Sequence, residues 1–81
     1  MEQEYVYLII SNYEDRTKIH SVATKEAAAN TYAIIDSGKP DSFIREKIGS
    51  FNTKYYSLDE TGNKVFREQL YIERRPLVKG F

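Results

Sequence analysis

Residues 5–11 read YVYLIIS, and no other stretch constrains the fold as tightly. An unbroken run of aromatic, β-branched and aliphatic side chains that stops at the turn-forming pair Ser11-Asn12 is a strand. Its two alternating sets are Val6/Leu8/Ile10 and Tyr5/Tyr7/Ile9. Both are largely apolar, so the strand belongs in the middle of a sheet. The rest of the chain must therefore supply strands on either side of it and a layer to cover it. Residues 18–23 (KIHSVA), reached through the polar connection 12–17 (NYEDRT), supply a hairpin partner.

The covering layer comes next. Thr24 is placed to cap a helix over 25–37, with Glu26 in the first turn where the helix dipole favours a carboxylate. Ala28, Tyr32 and Ile35 fall on one stripe at helical spacing, with Ala29 and Ala33 beside it. Gly38 and then Pro40 stop the helix. Residues 41–48 fit a second short helix, begun by Asp41 and ended by Gly49, with Phe43, Ile44 and Ile48 on its apolar side. Residues 54–58 and 64–72 read as strands around the turn Asp59-Glu60-Thr61-Gly62-Asn63, in which Gly62 is available for positive φ. In the last strand, Phe66, Leu70 and Ile72 share one alternating face while Val65 and Tyr71 share the other. Pro76 ends it and Leu77–Phe81 trails beyond.

This order is α+β. The expectation is one domain over 1–81, built as a four-stranded, mainly antiparallel sheet with the helix 25–37 on one face and the short helix 41–48 beside it. The expected core is Val6, Leu8, Ile10, Ala28, Tyr32, Ile35, Phe66, Leu70 and Ile72. One helix covers one face, which leaves Tyr5, Tyr7 and Tyr71 for the open side, where a phenol tolerates water.

The opening pattern, YVYLIIS, the acidic turn NYED, the strand KIHSVA and the helix start TKEAAANTY, resembles in form the small α+β proteins encoded in bacteriophage and prophage genomes. Some of those inhibit host enzymes or defence complexes by direct contact. The resemblance implies a cytoplasmic partner-binding protein that modulates a host protein or complex, and it transfers no catalytic or binding residue.

Charge and composition narrow the function independently. Twelve basic and twelve acidic side chains give zero formal net charge. They are spread along the chain, so there is neither the field of one sign that coats nucleic acid nor that of an acidic mimic. No stretch approaches the ~20 apolar residues of a membrane span, and the acidic start Met1-Glu2-Gln3-Glu4 is unlike a signal peptide. The absence of Cys and the single His20 remove thiolate chemistry, disulfides and His-based metal sets. Glu14 and Asp15 offer oxygen atoms that a divalent cation could use, but an acidic pair in a hairpin connection reads first as a solvated turn, and Asp59/Glu60 lack the spacing and closing Glu of a calcium loop. No serine lies in a Gly-x-Ser-x-Gly context, and the four glycines are too dispersed to cradle a phosphate. The expectation is a non-enzymatic protein with no cofactor and no metal.

Contact with a macromolecule remains. Seven Tyr and no Trp make the chain tyrosine-rich. Tyr and Arg dominate interface hot spots because they bury area and keep a polar tip. The expected working surface is Tyr5, Tyr7, Tyr55 and Tyr71 with Arg74 and Arg75, and the expected partner is a protein, with self-association through the same face as a variant. Lys54-Tyr55-Tyr56 and Tyr71 near Arg74-Arg75 give a second reading, a nucleic-acid-binding accessory protein that stacks bases on a sheet. The chain lacks the aromatic-glycine signature of an RRM.

Overall fold

The computed structural model describes residues 4–78; residues 1–3 of the acidic start and 79–81 of the tail lie outside the described residues. The elements are β1 (Tyr5–Asn12), β2 (Thr17–Ala23), α1 (Lys25–Ser37), β3 (Ile44–Gly49), β4 (Asn52–Leu58) and β5 (Lys64–Pro76). They form an α+β fold with a single antiparallel sheet in the order β2-β1-β5-β4-β3. The hairpin β1–β2 forms one side of the sheet, and α1 carries the chain across to the opposite edge. The meander β3–β4–β5 then returns, so that β5 docks beside β1. The apolar run is thus interior, flanked by β2 and β5.

The sheet has five strands where four were expected. Ile44–Gly49 is an extended edge strand paired with β4, not a helix over 41–48. Every residue of β3 is exposed, so neither a helical nor an alternating pattern was imposed on it by burial. Pairing with Asn52–Leu58 supplies its order instead.

The helix begins and ends as its sequence dictates. The Thr24 side chain accepts the N–H of Ala27 at 3.4 Å, and its carbonyl accepts that of Ala28 at 2.8 Å. The Gly38 N–H closes on the Ile34 and Ile35 carbonyls, both at 3.1 Å. Gly38 does this with φ −83°, so the stop needs no left-handed residue, and Pro40 prevents continuation. The left-handed position lies in the β4–β5 turn, where Gly62 has φ +84°. There the Asp59 carboxylate accepts the backbone N–H groups of Thr61 and Asn63, each at 2.9 Å, and the Thr61 hydroxyl at 2.7 Å. These bonds, the hydroxyl foremost, hold the Asp59 carboxyl below its ordinary range.

Helix α1 packs across β1, β2 and β5. Its small Ala28 lets the backbones approach, and the core gathers Ile9, Ala28, Tyr32, Tyr55 and Leu70, with Tyr7, Ala23, Ile35, Phe43 and Ile72 against them. The expected places of Ala28, Tyr32, Ile35, Leu70 and Ile72 are found. The face of β1 is reversed: Tyr7 and Ile9 lie under the helix, while Val6, Leu8 and Ile10 line the other side. Register explains it, because residues directly opposite share a face. Ile9 stands opposite Ile72 and Tyr7 opposite Arg74, whereas Leu8 faces Glu73 and Val6 faces Arg75. Phe66 is reversed too. The β4–β5 register shifts between Tyr55, opposite Glu68, and Tyr56, opposite Phe66. Arg67 is the extra residue of that bulge, and it moves Phe66 to the side away from Leu70.

The core is thin for the length of the strands. The Cα radius of gyration is 15.0 Å, against about 12 Å for a compact domain of this length. β5 alone, 13 residues, runs for about 43 Å at strand rise.

Candidate functional site

The six surface candidates do not form one patch. Tyr5, Tyr7 and Arg74 lie on the helix side, where Arg74 stacks over the Tyr5 ring at 4.3 Å. Tyr71 and Arg75 lie on the uncovered side, opposite Ile10 and Val6. Tyr55 is not on the surface at all: it is 0% exposed beneath the helix. Its phenol donates to the Asp36 carboxylate. Burial first, and the Asp36 carboxylate next, push that phenol well above its ordinary value, so it remains a donor.

The uncovered face has its own order. Ile10, at 4% exposure, is walled in by Ile19 on β2 and Tyr71 on β5. Leu8 and Val6 continue the row along β1, and Val22 lies opposite Leu8. Ile19 and Val22, expected only as parts of a hairpin strand, are 55% and 60% exposed. The patch Val6, Leu8, Ile10, Ile19, Val22 and Tyr71 is bounded on one side by the Glu73–Arg75 ion pair at 3.0 Å. Towards the β1–β2 turn and β4 it is bounded by a polar band, in which Thr17 donates to Asn12 at 2.6 Å and the Gln69 amide donates to Asn52 at 2.7 Å. Beyond that band Tyr56 and Phe66 meet edge to face at 6.0 Å, with Lys64 over the Tyr56 ring at 4.8 Å. Arg75 is ion-paired with Glu73, and Lys54 stands opposite Glu46 in the β3–β4 register.

The helix side carries the polar chemistry. Around the helix C-terminus, Arg45 donates to the Asp36 carboxylate at 3.3 Å and to the Asp36 and Lys39 carbonyls at 3.0 and 3.4 Å. Lys39 pairs with the buried Glu68, whose second oxygen has no partner. The Ser11 hydroxyl and His20 Nε2 lie 2.7 Å apart, brought together because His20 is the extra residue of the β1–β2 bulge. A serine against an imidazole is the start of a nucleophile pair. Ser11 is 0% exposed, however, so no substrate carbonyl can reach its hydroxyl. Burial, then the Lys18 and Lys39 charges, lower the His20 pKa, with Glu68 opposing. Tyr32 closes the set by sharing a 2.6 Å hydrogen bond with Thr53. The contacts of Tyr32, Asp36 and Lys39 stitch the helix and its C-terminal end to the sheet, while Ser11–His20 joins β1 to β2. Among the described residues, no group of three or more His, Cys, Asp or Glu side chains is placed to hold a metal, and Glu14 and Asp15 are exposed in their turn. No helix among them is long and apolar enough to cross a membrane.

Sequence reasoning missed Ile19, Val22 and the side on which Leu8 lies. The signal was present in one form: Tyr5/Tyr7/Ile9 is the bulkier set of β1, and a single helix rich in alanine leaves room for large rings. Searches against protein-family models, curated proteins and solved structures return no match.

Proposed function

We propose that this chain is a non-enzymatic module that acts by binding another protein through the uncovered face of its sheet. The observation that carries this reading is the apolar patch around Ile10, flanked by the Glu73–Arg75 ion pair. An apolar centre with a balanced polar rim is the anatomy of a protein contact. Nucleic acid, by contrast, is held through an excess of Lys and Arg. In the setting suggested by the phage-protein resemblance, the bound protein is a host factor whose action the contact modulates. Tyr71, with its ring on the patch and its hydroxyl at the polar band, is the strongest hot-spot residue.

The test is affinity capture from host lysate, with and without nuclease, using three baits: the natural chain, an Ile19→Lys/Val22→Lys variant, and an Ile34→Lys control on the exposed side of the helix. The reading expects one protein retained by the natural chain and the control and lost with the double variant. It also expects Tyr71→Ala to weaken the recovered pair by about 1–3 kcal/mol. Equal retention by all three baits refutes the surface. Retention that vanishes with nuclease and falls steeply with salt refutes the partner class in favour of the nucleic-acid reading.

A further inference from the structure

On the helix side, beyond the first turn of α1, lies a groove of about 190 Å³ lined by Tyr7, Lys25, Phe51, Ile72 and Arg74. It is smaller than the ~300–1,000 Å³ of a whole small-molecule site, and suits one apolar side chain. Its floor is Tyr7, Phe51 and Ile72, and the Phe51 ring is fixed edge to face on Tyr32 at 5.5 Å. Its rim carries two cations. Among the described residues neither Lys25 nor Arg74 has a carboxylate at ion-pair distance.

The backbone beside the groove is also incomplete. Successive residues of a strand send their N–H and C=O groups to opposite sides. The Leu77 N–H bonds the Glu4 carbonyl on the β1 side at 2.8 Å, and the Ile72 N–H bonds the Phe51 carbonyl on the β4 side at 3.0 Å. Arg74, two residues from Ile72, therefore points its N–H and C=O to the β4 side. Strand β4 has already ended there, since its last pair with β5 is Asn52 with Tyr71. Pro76, next on that side, has no N–H to offer, so the unpaired stretch is short. An open strand flank beside an apolar groove is the geometry of β-strand addition.

We propose that this groove binds an extended peptide segment of a partner protein. The segment pairs as a short strand with Arg74, sinks one apolar side chain between Tyr7, Phe51 and Ile72, and sets a carboxylate between Lys25 and Arg74. Side chains on one face of a strand recur every second residue. The recognised pattern is thus an apolar and an acidic residue separated by one. The groove lies on the opposite side of the sheet from the patch around Ile10, and the inference does not rest on that patch.

The probe is a fluorescein-labelled pentapeptide amide, threonine-leucine-threonine-glutamate-threonine, titrated into the full chain and followed by fluorescence polarisation and by backbone amide NMR. Binding is expected, with shifts concentrated at Phe51, Ile72 and Arg74. A Lys25→Glu variant, altered on an exposed helical position, should weaken it roughly 3- to 10-fold. A probe methylated on its backbone nitrogens should lose binding. No binding up to about 1 mM, equal binding of a probe with lysine in place of glutamate, equal binding of the methylated probe, or shifts centred on Leu8 and Val22 each overturn the proposal.

Discussion

Replacing Ile9 by alanine, and separately Leu8 by alanine, tests which side of β1 meets the helix. Ile9 is 0% exposed and packs with Ala28, Tyr32, Tyr55 and Leu70. Three carbons leave a closed site, worth about 0.8 kcal/mol each in transfer. The unfilled cavity adds to this, so Ile9→Ala should cost about 3–4 kcal/mol. Leu8 loses the same number of carbons from a half-buried place beside Val22 on the uncovered face. Neighbours there can relax and water can enter, so the expected cost is about 1 kcal/mol. A domain of this length has total stability of roughly 4–12 kcal/mol, so Ile9→Ala consumes much of it. Ile9→Val, at about 0.5–1.5 kcal/mol, keeps the comparison measurable if the alanine variant does not fold. Urea unfolding followed by circular dichroism gives midpoints and slopes. Runs at two protein concentrations would reveal any self-association through the uncovered face. If Leu8→Ala costs as much as Ile9→Ala, with no concentration dependence, the assignment of faces is wrong.

The Lys39–Glu68 pair should behave as a buried pair whose loss of one member is worse than loss of both. Lys39→Met should cost about 3–5 kcal/mol, and adding Glu68→Gln should restore part of it, as a thermodynamic double-mutant cycle would measure. The lowered His20 pKa makes stability depend on pH with a definite sign: the unfolded chain takes up a proton at the ordinary value of 6.5 while the folded chain does not. The contribution is complete above that value and declines as pH falls from there towards the folded pKa. A His20→Gln variant should therefore flatten the stability profile between about pH 7 and 5, and an unchanged slope refutes the assignment. Gly62→Ala meets no atom within 4 Å, so only the positive φ is strained. It should cost about 1–2 kcal/mol in thermal unfolding, and a neutral result would show the turn adopts another conformation.

The elements whose sequence carries both a pattern and punctuation were legible. Thr24, the Ala28/Tyr32/Ile35 stripe, Gly38 and Pro40 delimit α1 without reference to anything distant. The Asp59–Asn63 turn does the same for the β4–β5 connection. β3 was illegible because an edge strand exposed on both faces has no burial to record: Ile44, Arg45, Glu46, Lys47 and Ile48 show no two-residue alternation of polarity. The faces of β1 were illegible because both are apolar. Only the register with β5, some sixty residues away, decides between them, and the bulge at Arg67 that turns Phe66 over lies in the β4–β5 ladder without a local signature. Hence the surface set divided: Tyr71 and Arg75 kept the uncovered side, Tyr5, Tyr7 and Arg74 went under or beside the helix, and Tyr55 became core. Asp36, which holds Tyr55, is visible in the sequence only as the penultimate residue of a helix.

The position of β5 has a consequence for how the sheet is assembled. It is the last of the described strands in the sequence, yet it separates β1 from β4 and is the only element paired with both hairpins. Until it is in place the chain holds two local hairpins, and the most apolar strand has one flank open to any passing strand. Pairing Tyr5–Asn12 with 69–76 closes a loop of more than fifty residues, an entropic cost met only near the rate-limiting step. Folding should therefore be slow for so short a chain, with β1–β5 contacts formed in the transition state. On the ribosome, β1 would wait for β5 with its apolar flank exposed. That interval is when a chaperone or an aggregating neighbour competes for it.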